Sequence, residues 1–309
     1  MRRLNTKNLN YAFNVEYYKG SDFTSTFDYS DRNKELISIS PMIGKAYKND
    51  KFSFSLKTKY PGLLIGVGNA HGSGGLGDID LGFSFDYVTG CPYIPGSTVK
   101  GVLRSAFAHD EYIKSVLNDP SVDVRKLEKE IFEGIKEEKK DAEGNITEVD
   151  YFPVPERDVF YDAFPETKGN LLLMEAITPH GEDLTKNPKP LTLVKVKPEV
   201  TFAFSFRLNN GTVTASAKLN LFKQIIEDLG IGAKTNVGFG IMEGQEQNYD
   251  NAVAVAAADA AQSVLDEVVC PKCGKKNHKF NKDGALNSAW KNRKCFNSLC
   301  RADLSGVIR

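Results

Sequence analysis

Gly230-Ile-Gly-Ala-Lys-Thr-Asn-Val-Gly-Phe-Gly240 is the stretch of this sequence that says most about the fold. Its four glycines in eleven residues allow positive φ angles and a close approach of the backbone to a partner. Lys234, Thr235 and Asn236 add a cation, a hydroxyl and an amide, which suit an anionic ligand. The alternative interpretation is a structural turn with a solvated Lys234.

This loop matches neither of the common nucleotide-binding motifs. A P-loop requires Gly directly before Lys, where this chain has Ala233, and a dinucleotide fingerprint requires a third Gly where it has Thr235. Apolar residues over 221–229 recur at helical spacing, and Gly230 stands where a glycine commonly ends a helix. The loop is therefore predicted to follow a helix, and a mononucleotide site is disfavoured.

The composition indicates a soluble protein with roughly two domains, or one domain plus an appendage. Hydrophobic residues make up 41% of the 309 residues, and no apolar run is long enough to span a bilayer. The basic first residues lack the apolar segment of a secretory signal, so we expect a cytoplasmic protein without a membrane partner. Residues 270–309 hold ten Lys or Arg against two Asp, so this tail carries +8 and the other 269 residues −8. Such a tail suits a polyanion or an acidic protein surface.

The middle of the chain alternates between predicted strands and helices at irregular spacing. Alternating or continuous apolar runs predict strands over 52–57, 159–164, 171–177, 191–197, 201–208 and 237–243. Two charged helices are predicted within 110–138, followed by an exposed hairpin or insertion over 136–150. Neighbouring strands favour an α+β fold with an antiparallel sheet over a doubly wound parallel sheet. The alanine-rich residues 251–269 are predicted to form a helical connector.

A second glycine-rich loop, residues 66–80, contains six glycines with His71, Asp78 and Asp80. Loops of this kind often carry function. In one hypothesis, Asp78 or Asp80 positions an attacking 2′-hydroxyl or a metal in an RNA endonuclease, with His71 as general acid or base. In the alternative, the loop is flexible and its carboxylates are solvated, because the spacing defines no catalytic geometry.

Pro92-Tyr-Ile-Pro-Gly-Ser-Thr-Val-Lys-Gly-Val-Leu-Arg104 predicts an extended approach and then a helix capped by Ser97. Apolar residues occupy one face of this helix, and Lys100 and Arg104 lie together on the other. The free N–H groups of a helix start attract phosphate, so this element is a second candidate anion site. A solvated basic face is the alternative. Cys91, just before the motif, is expected to be a buried apolar residue.

Four cysteines near the end of the chain predict a metal site. Cys270-Pro-Lys-Cys273 and Cys295-Phe-Asn-Ser-Leu-Cys300 are separated by 21 residues, which is zinc-ribbon spacing with a slightly wide second pair. Disulfides are disfavoured in a cytoplasmic protein, so a structural Zn²⁺ held by all four thiolates is predicted. Basic and aromatic residues around the cysteines suit nucleic acid, a small core, or docking onto a neighbouring protein.

The motifs at 92–104 and 229–240 resemble the two signature motifs of the RAMP superfamily of CRISPR proteins. Three shorter stretches resemble, within that superfamily, the sixth-subunit family of the type III-B (Cmr) RNA-guided effector: Tyr161-Asp-Ala-Phe-Pro165, Thr178-Pro-His180 and Pro190-Leu-Thr-Leu-Val194. The similarity covers residues 8–243, and the cysteine-rich tail is not part of it.

The resemblance implies a ferredoxin-like (RRM-like) core with an elaborated second half. It also implies a non-catalytic subunit that binds guide RNA toward its 3′ end, beside neighbouring RAMP subunits and target RNA, in defence against foreign nucleic acid. The predicted RNA-contacting residues are Lys100, Arg104, Gly232, Lys234, Thr235, Asn236 and Gly238. Related subunits cut target RNA with an aspartate before the Pro-Gly-Ser motif, so an endonuclease using Asp78 or Asp80 is the alternative function. The expected domains are 1–243 (RNA-binding region), 244–269 (connector) and 270–309 (zinc ribbon).

Overall fold

The computed structural model describes residues 4–43, 52–141, 143–178 and 190–244, together with 267–269, 272 and 276–278. The chain divides into two compact units, Met1–Gln245 and Glu246–Arg309. The α-helices are α1 (Leu9–Asn14), α2 (Ser30–Ser38), α3 (Gly96–Ala106), α4 (Asp110–Leu117), α5 (Val124–Glu133) and α6 (Ala215–Leu229). The strands are β1 (Ser53–Thr58), β2 (Ile135–Lys140), β3 (Ile146–Tyr151), β4 (Val159–Phe160), β5 (Phe164–Pro165), β6 (Leu172–Ile177), β7 (Leu191–Val196), β8 (Thr201–Arg207), β9 (Met242–Gly244), β10 (Glu267–Val269) and β11 (Lys276–His278).

The main sheet of the first unit is antiparallel, with strand order β4-β8-β1-β9, and β5 also pairs with β8. Period-two alternation explains β8, because Phe202, Phe204 and Phe206 fall on one face and are buried. Phe206 packs against Phe222 of α6, with ring centroids 5.3 Å apart. Helix α3 contacts α6 and β4, and α6 also contacts β9. The main core therefore lies between the sheet and these two helices.

Two antiparallel hairpins accompany this sheet in the first unit. Strands β2 and β3 form a largely exposed, charged hairpin, and β6 pairs with β7 along their full lengths. In the second unit, β10 pairs with β11, with Val269 opposite Lys276. The α+β class with antiparallel sheets is thus confirmed.

The N-terminal segment packs against the second glycine-rich loop. Phe13, Tyr17 and Tyr29 are fully buried, and Tyr17 and Tyr29 stack with ring centroids 4.9 Å apart. The sequence shows no periodicity here, because short helices and a 3₁₀ turn over Glu16–Tyr18 bury aromatic residues at irregular spacing.

Most predicted strands and helices are confirmed, with three corrections. The single strand expected over 159–164 is two short strands, Val159–Phe160 and Phe164–Pro165. The strand expected over 237–243 is only Met242–Gly244, because a 3₁₀ turn occupies Thr235–Val237. The helix expected over 251–269 does not reach its predicted end, since Glu267–Val269 is a strand; residues 251–266 lie outside the described ranges. Among the described residues, no helix is long and apolar enough to cross a membrane.

Candidate nucleic-acid interface

The base of the 230–240 loop is fixed by backbone hydrogen bonds to a neighbouring segment. The Gly240 amide donates to Gly62 O (2.8 Å), and the Ala233 amide donates to Leu64 O (2.8 Å). Gly232 has a φ of 97°, and a Cβ there would lie 2.3 Å from Leu64 O. The glycines of the loop therefore serve first to pack it against the protein's own backbone.

The tip of the same loop is exposed. Lys234 has a left-handed backbone (φ 59°), and the 3₁₀ turn Thr235–Val237 follows it. The side chains of Lys234, Thr235 and Asn236 are exposed, and the described residues offer no hydrogen-bond acceptor to their three consecutive amides. A left-handed residue followed by right-handed ones turns successive N–H groups into a concave anion-binding nest. The packed base therefore carries an exposed cation and a turn whose three amides have no acceptor among the described residues.

Lys100 and Arg104 lie together on α3 as predicted, but both are bonded to α5. Lys100 Nζ donates to Phe132 O (2.7 Å) in the last turn of α5, where a cation is favourable. Arg104 pairs with Glu128 (Nε to Oε1, 2.8 Å) and with Glu133. Lys100 and Arg104 contact α5, whereas the glycine loop contacts residues 62 and 64. These contacts do not bring the predicted RNA-binding residues together in one site.

The start of α3 differs from its prediction. The helix begins at Gly96 after Pro95, and no side chain caps it, so Ser97 as N-cap is wrong. The Gly96 amide donates to Asp162 Oδ1 (2.6 Å), so a carboxylate already holds this N–H group. An acidic side chain at this position disfavours a second anion, so the structure does not support the predicted phosphate site at this helix start.

The carboxylates of the 66–80 loop organise the loop. Asp78 is 5% exposed, and its Oδ2 accepts from the amides of Ser73 and Gly74 (3.0 Å for Gly74). Asp80 Oδ2 accepts from the Thr192 amide (2.8 Å), which ties the loop to β7. Asp78 is buried and Asp80 is half-buried, so neither fits the alternative of fully solvated carboxylates. One oxygen of each carboxylate accepts a backbone hydrogen bond, which indicates that both stabilise the loop.

His71 is also held within the fold. Its ring stacks on Phe13 with centroids 3.7 Å apart, and its Nε2 and Nδ1 lie 3.0 and 3.1 Å from the carbonyl oxygens of Phe13 and Ile79. Burial lowers the pKa of His71, while these two carbonyl contacts act in the opposite direction. A histidine with both nitrogens engaged is poorly placed for general acid–base chemistry on an external substrate.

The four predicted zinc ligands lie outside the described residues. In the part of the chain that is described, no three His, Cys, Asp or Glu side chains are grouped so as to hold a metal ion. The described backbone nearby is the β10–β11 hairpin, and Cys270 and Cys273 fall between its strands in the sequence. Cys91 is a buried free cysteine, as expected, and burial raises its pKa.

Comparison with known families identifies the chain. The RAMP superfamily matches residues 55–243, which is more than half of the sequence and includes both signature motifs. The chain belongs to the RAMP superfamily. The RAMP region thus begins within β1 and ends within β9, so it reaches from the first to the last strand of the main sheet along the chain.

This RAMP protein is 29% identical over 222 residues to the CRISPR system CMR subunit Cmr6 of Saccharolobus solfataricus. The match covers 70% of this chain and 63% of that relative, so the chain spans less than two thirds of the relative's length. The predicted resemblance to the sixth-subunit family is confirmed.

Three solved structures contain chains similar to this one, at sequence identities of 26% or less. A type III-B Cmr-beta complex bound to cognate target RNA contains a chain 26% identical (TM-score 0.42; 63% of this chain and 58% of that chain covered). Cmr6 from Pyrococcus furiosus is 21% identical (TM-score 0.33; 62% and 96% covered). A type IV-B CRISPR complex contains a chain 12% identical (TM-score 0.36; 63% and 91% covered).

Sequence reasoning missed several buried charged groups in this RAMP protein, and Lys218 is the most buried of those that the structure describes. Lys218 of α6 lies between two buried carboxylates, with Nζ 3.0 Å from Glu130 Oε1 and 2.8 Å from Asp158 Oδ2. The only sequence signal is a lysine on the otherwise apolar face of a predicted helix. It becomes informative only when the partners, 88 and 60 positions away along the chain, are known.

Proposed function

We propose that this chain is a non-catalytic subunit of a type III-B CRISPR effector, which holds guide RNA through the exposed tip of the 230–240 loop. RAMP membership and the 29% identity to a Cmr6 support the assignment to such a complex. The observation that carries the RNA-binding role is the tip itself, where the exposed Lys234 stands beside three amides for which the described residues offer no acceptor. Contacts of this kind recognise phosphates without reading sequence.

We propose a ferredoxin-like core for the main sheet. Its elements follow one another as β1, α3, β4/β5, β8, α6 and β9, a β-α-β-β-α-β sequence. The antiparallel order β4-β8-β1-β9 places the first strand between the third and the last, which is the ferredoxin-like arrangement. The hairpins β2–β3 and β6–β7 are then insertions, so the elaboration is distributed along the core.

The partners proposed for the subunit are guide RNA near its 3′ end, target RNA and neighbouring RAMP subunits. RNA contact by Lys100 and Arg104 stays a prediction, because their charged groups already bond α5. For Asp78 and Asp80 we propose a structural role. An Asp80→Asn variant in the reconstituted complex is expected to leave target-RNA cleavage unchanged, and loss of cleavage with intact assembly would restore the endonuclease alternative.

We also propose a structural Zn²⁺ held by Cys270, Cys273, Cys295 and Cys300. A short antiparallel hairpin with a Cys-x-x-Cys pair between its strands fits the first half of a zinc ribbon. Four thiolates leave no open coordination position, so the metal would stabilise the tail and would not take part in a reaction.

The RNA-binding proposal is tested by the salt dependence of affinity. For Lys234→Ala we expect weaker binding of all single-stranded RNA sequences and a salt slope smaller by about 0.7, since about one phosphate contact is lost. Lys234→Arg keeps the charge and is expected to keep the slope. Lys34→Ala, which removes an exposed lysine of α2, is the matched control. An unchanged affinity and slope for Lys234→Ala contradicts the assigned surface.

The assignment to a complex needs a separate experiment. A tagged full-length chain purified from its native host is expected to recover other RAMP subunits and CRISPR-derived RNA. Recovery of the chain without either would reject the assignment, whatever its affinity for RNA in isolation.

A further inference from the structure

Tyr60 is an exposed aromatic residue on a fixed backbone beside the glycine loop. Tyr60 is 81% exposed, although backbone contacts hold the residues on either side of it in the sequence. The Lys59 amide donates to Ile241 O (2.9 Å), and Gly62 O accepts from the Gly240 amide. A Cβ on Gly62 would lie 2.2 Å from the carbonyl oxygen of Val196 in β7. The tyrosine is therefore anchored between loop and strand while its ring remains in solvent.

A cation lies on one side of this ring. Lys195 Nζ is 6.0 Å from the centroid of Tyr60 and 5.8 Å from that of Phe239, and it pairs with Glu175. Lys195 is itself buried, so its ammonium group is held in place beneath the tyrosine. With the cation on one side and most of the residue exposed, the opposite face of the ring is open to a planar group.

The edge around Tyr60 combines apolar surface with groups that suit phosphate. Gly238 lies against the ring of Pro61, where a Cβ would be 3.6 Å from Pro61 Cδ. Tyr60 directly precedes Pro61, and the 63% exposed Val237 directly precedes Gly238, so this contact brings the backbones of the two exposed residues close together. Lys234 and the amides that lack an acceptor among the described residues belong to the same loop as Val237. An aromatic face beside a phosphate-binding turn fits one nucleotide unit, a base and its phosphate.

We propose that Tyr60 stacks on one nucleobase of the bound RNA strand, with Val237 at its side, while the Lys234 turn holds an adjacent phosphate. This inference rests on the proposed RNA-binding function. Stacking is tolerant of sequence, because every base presents a π face. The contact would therefore strengthen binding of single-stranded RNA without adding preference for one base.

The test compares RNA with a matched oligonucleotide that has abasic positions, each bound to the full-length chain. Tyr60→Ala is expected to weaken binding of the base-containing strand roughly tenfold and to leave binding of the abasic strand unchanged. Its salt slope is expected to equal that of the unaltered chain, and Tyr60→Phe is expected to keep full affinity. Tyr87→Ala, at an 83% exposed tyrosine next to α1, is the control and is expected to change neither affinity.

The other outcomes are distinguishable. Equal losses on both strands, or no loss with Tyr60→Ala, overturn the stacking proposal and leave the Lys234 contact intact. Normal RNA binding combined with loss of a neighbouring subunit from the complex also overturns it, because Tyr60 would then serve a protein interface. Absence of RNA binding by the unaltered chain, alone and in the complex, overturns the proposed function and the stacking together.

Discussion

Gly240 illustrates at the scale of one residue how closely the glycine loop packs. Its φ is +75°, and a Cβ there would lie 1.9 Å from the carbonyl oxygen of Ile231. Gly101 is different, because it lies exposed within α3 with nothing within 4 Å of an added Cβ. The sequence shows both as glycines, and only the backbone around them separates a required glycine from a replaceable one.

We expect Gly240→Ala to lower the free energy of unfolding by about 2 kcal/mol or more, through left-handed strain and backbone overlap. Gly101→Ala is the matched control and is expected to raise it by up to about 1 kcal/mol, because alanine is the better helix former. Chemical denaturation of both variants measures the difference. Equal effects of the two substitutions would contradict the described packing of the loop.

His71 gives a second prediction at this scale, on pH. Burial lowers the pKa of His71 in the folded state, so the unfolded chain binds a proton more readily than the folded chain. The free energy of unfolding therefore decreases as pH falls through and below the ordinary histidine pKa near 6.5. Above that value, the contribution of His71 to the free energy of unfolding is fully present. We expect His71→Gln to reduce this slope in unfolding free energy between about pH 7.5 and 5.5. The same change at exposed His109 is the control, and a slope unaffected by His71→Gln would be the contrary result.

Helix α6 shows how elements are joined in the first unit. Its buried Lys218 links α5, through Glu130, to the residue before β4, Asp158. Burial raises the pKa of Asp158, whereas the pKa of Glu130 is lowered, since hydrogen bonds from Thr212 and Lys218 together outweigh its burial. One cation therefore serves two carboxylates that belong to different elements.

Lys218→Met removes the cation and leaves two buried carboxylates, so we expect a loss of about 3–5 kcal/mol in unfolding free energy. Lys34→Met removes one partner of an exposed pair with Asp31 on α2, and its expected cost is at most about 1 kcal/mol. Denaturant titration of both variants is the measurement. A loss for Lys218→Met as small as that for Lys34→Met would show that the triad contributes little to stability.

The elements were predictable where burial follows a simple period, and the site was predictable only in part. Alternation in β8 and helical spacing before Gly230 led directly to the observed elements. The N-terminal helices escaped prediction because their buried aromatics have no period. The loop tip was predictable from its composition, but the Asp162 carboxylate at α3 was not, because it comes from 66 residues further along the chain. Contacts of that kind depend on tertiary structure and leave no local pattern.

At the scale of the whole molecule, the net positive charge and the proposed metal ligands lie in the same segment, the tail. Residues 270–309 carry +8 while the rest carries −8, and the proposed zinc ligands all lie in this tail. We expect one zinc per chain by elemental analysis and loss of most of that zinc in Cys270→Ser/Cys273→Ser. Cys91→Ser, at the buried free cysteine, is expected to keep the metal. A full-length chain purified without chelators and found free of zinc would contradict the proposal.

The central position of β1 has a consequence for how the protein is made. Its neighbours in the sheet, β8 and β9, both come from the far end of the RAMP region, so β1 emerges from the ribosome long before residue 201. Until then both of its edges are unpaired, and unpaired edges invite pairing with other nascent chains. Slowing translation before residue 201 would lengthen this interval, so aggregation during expression should depend on codon usage between β1 and β8.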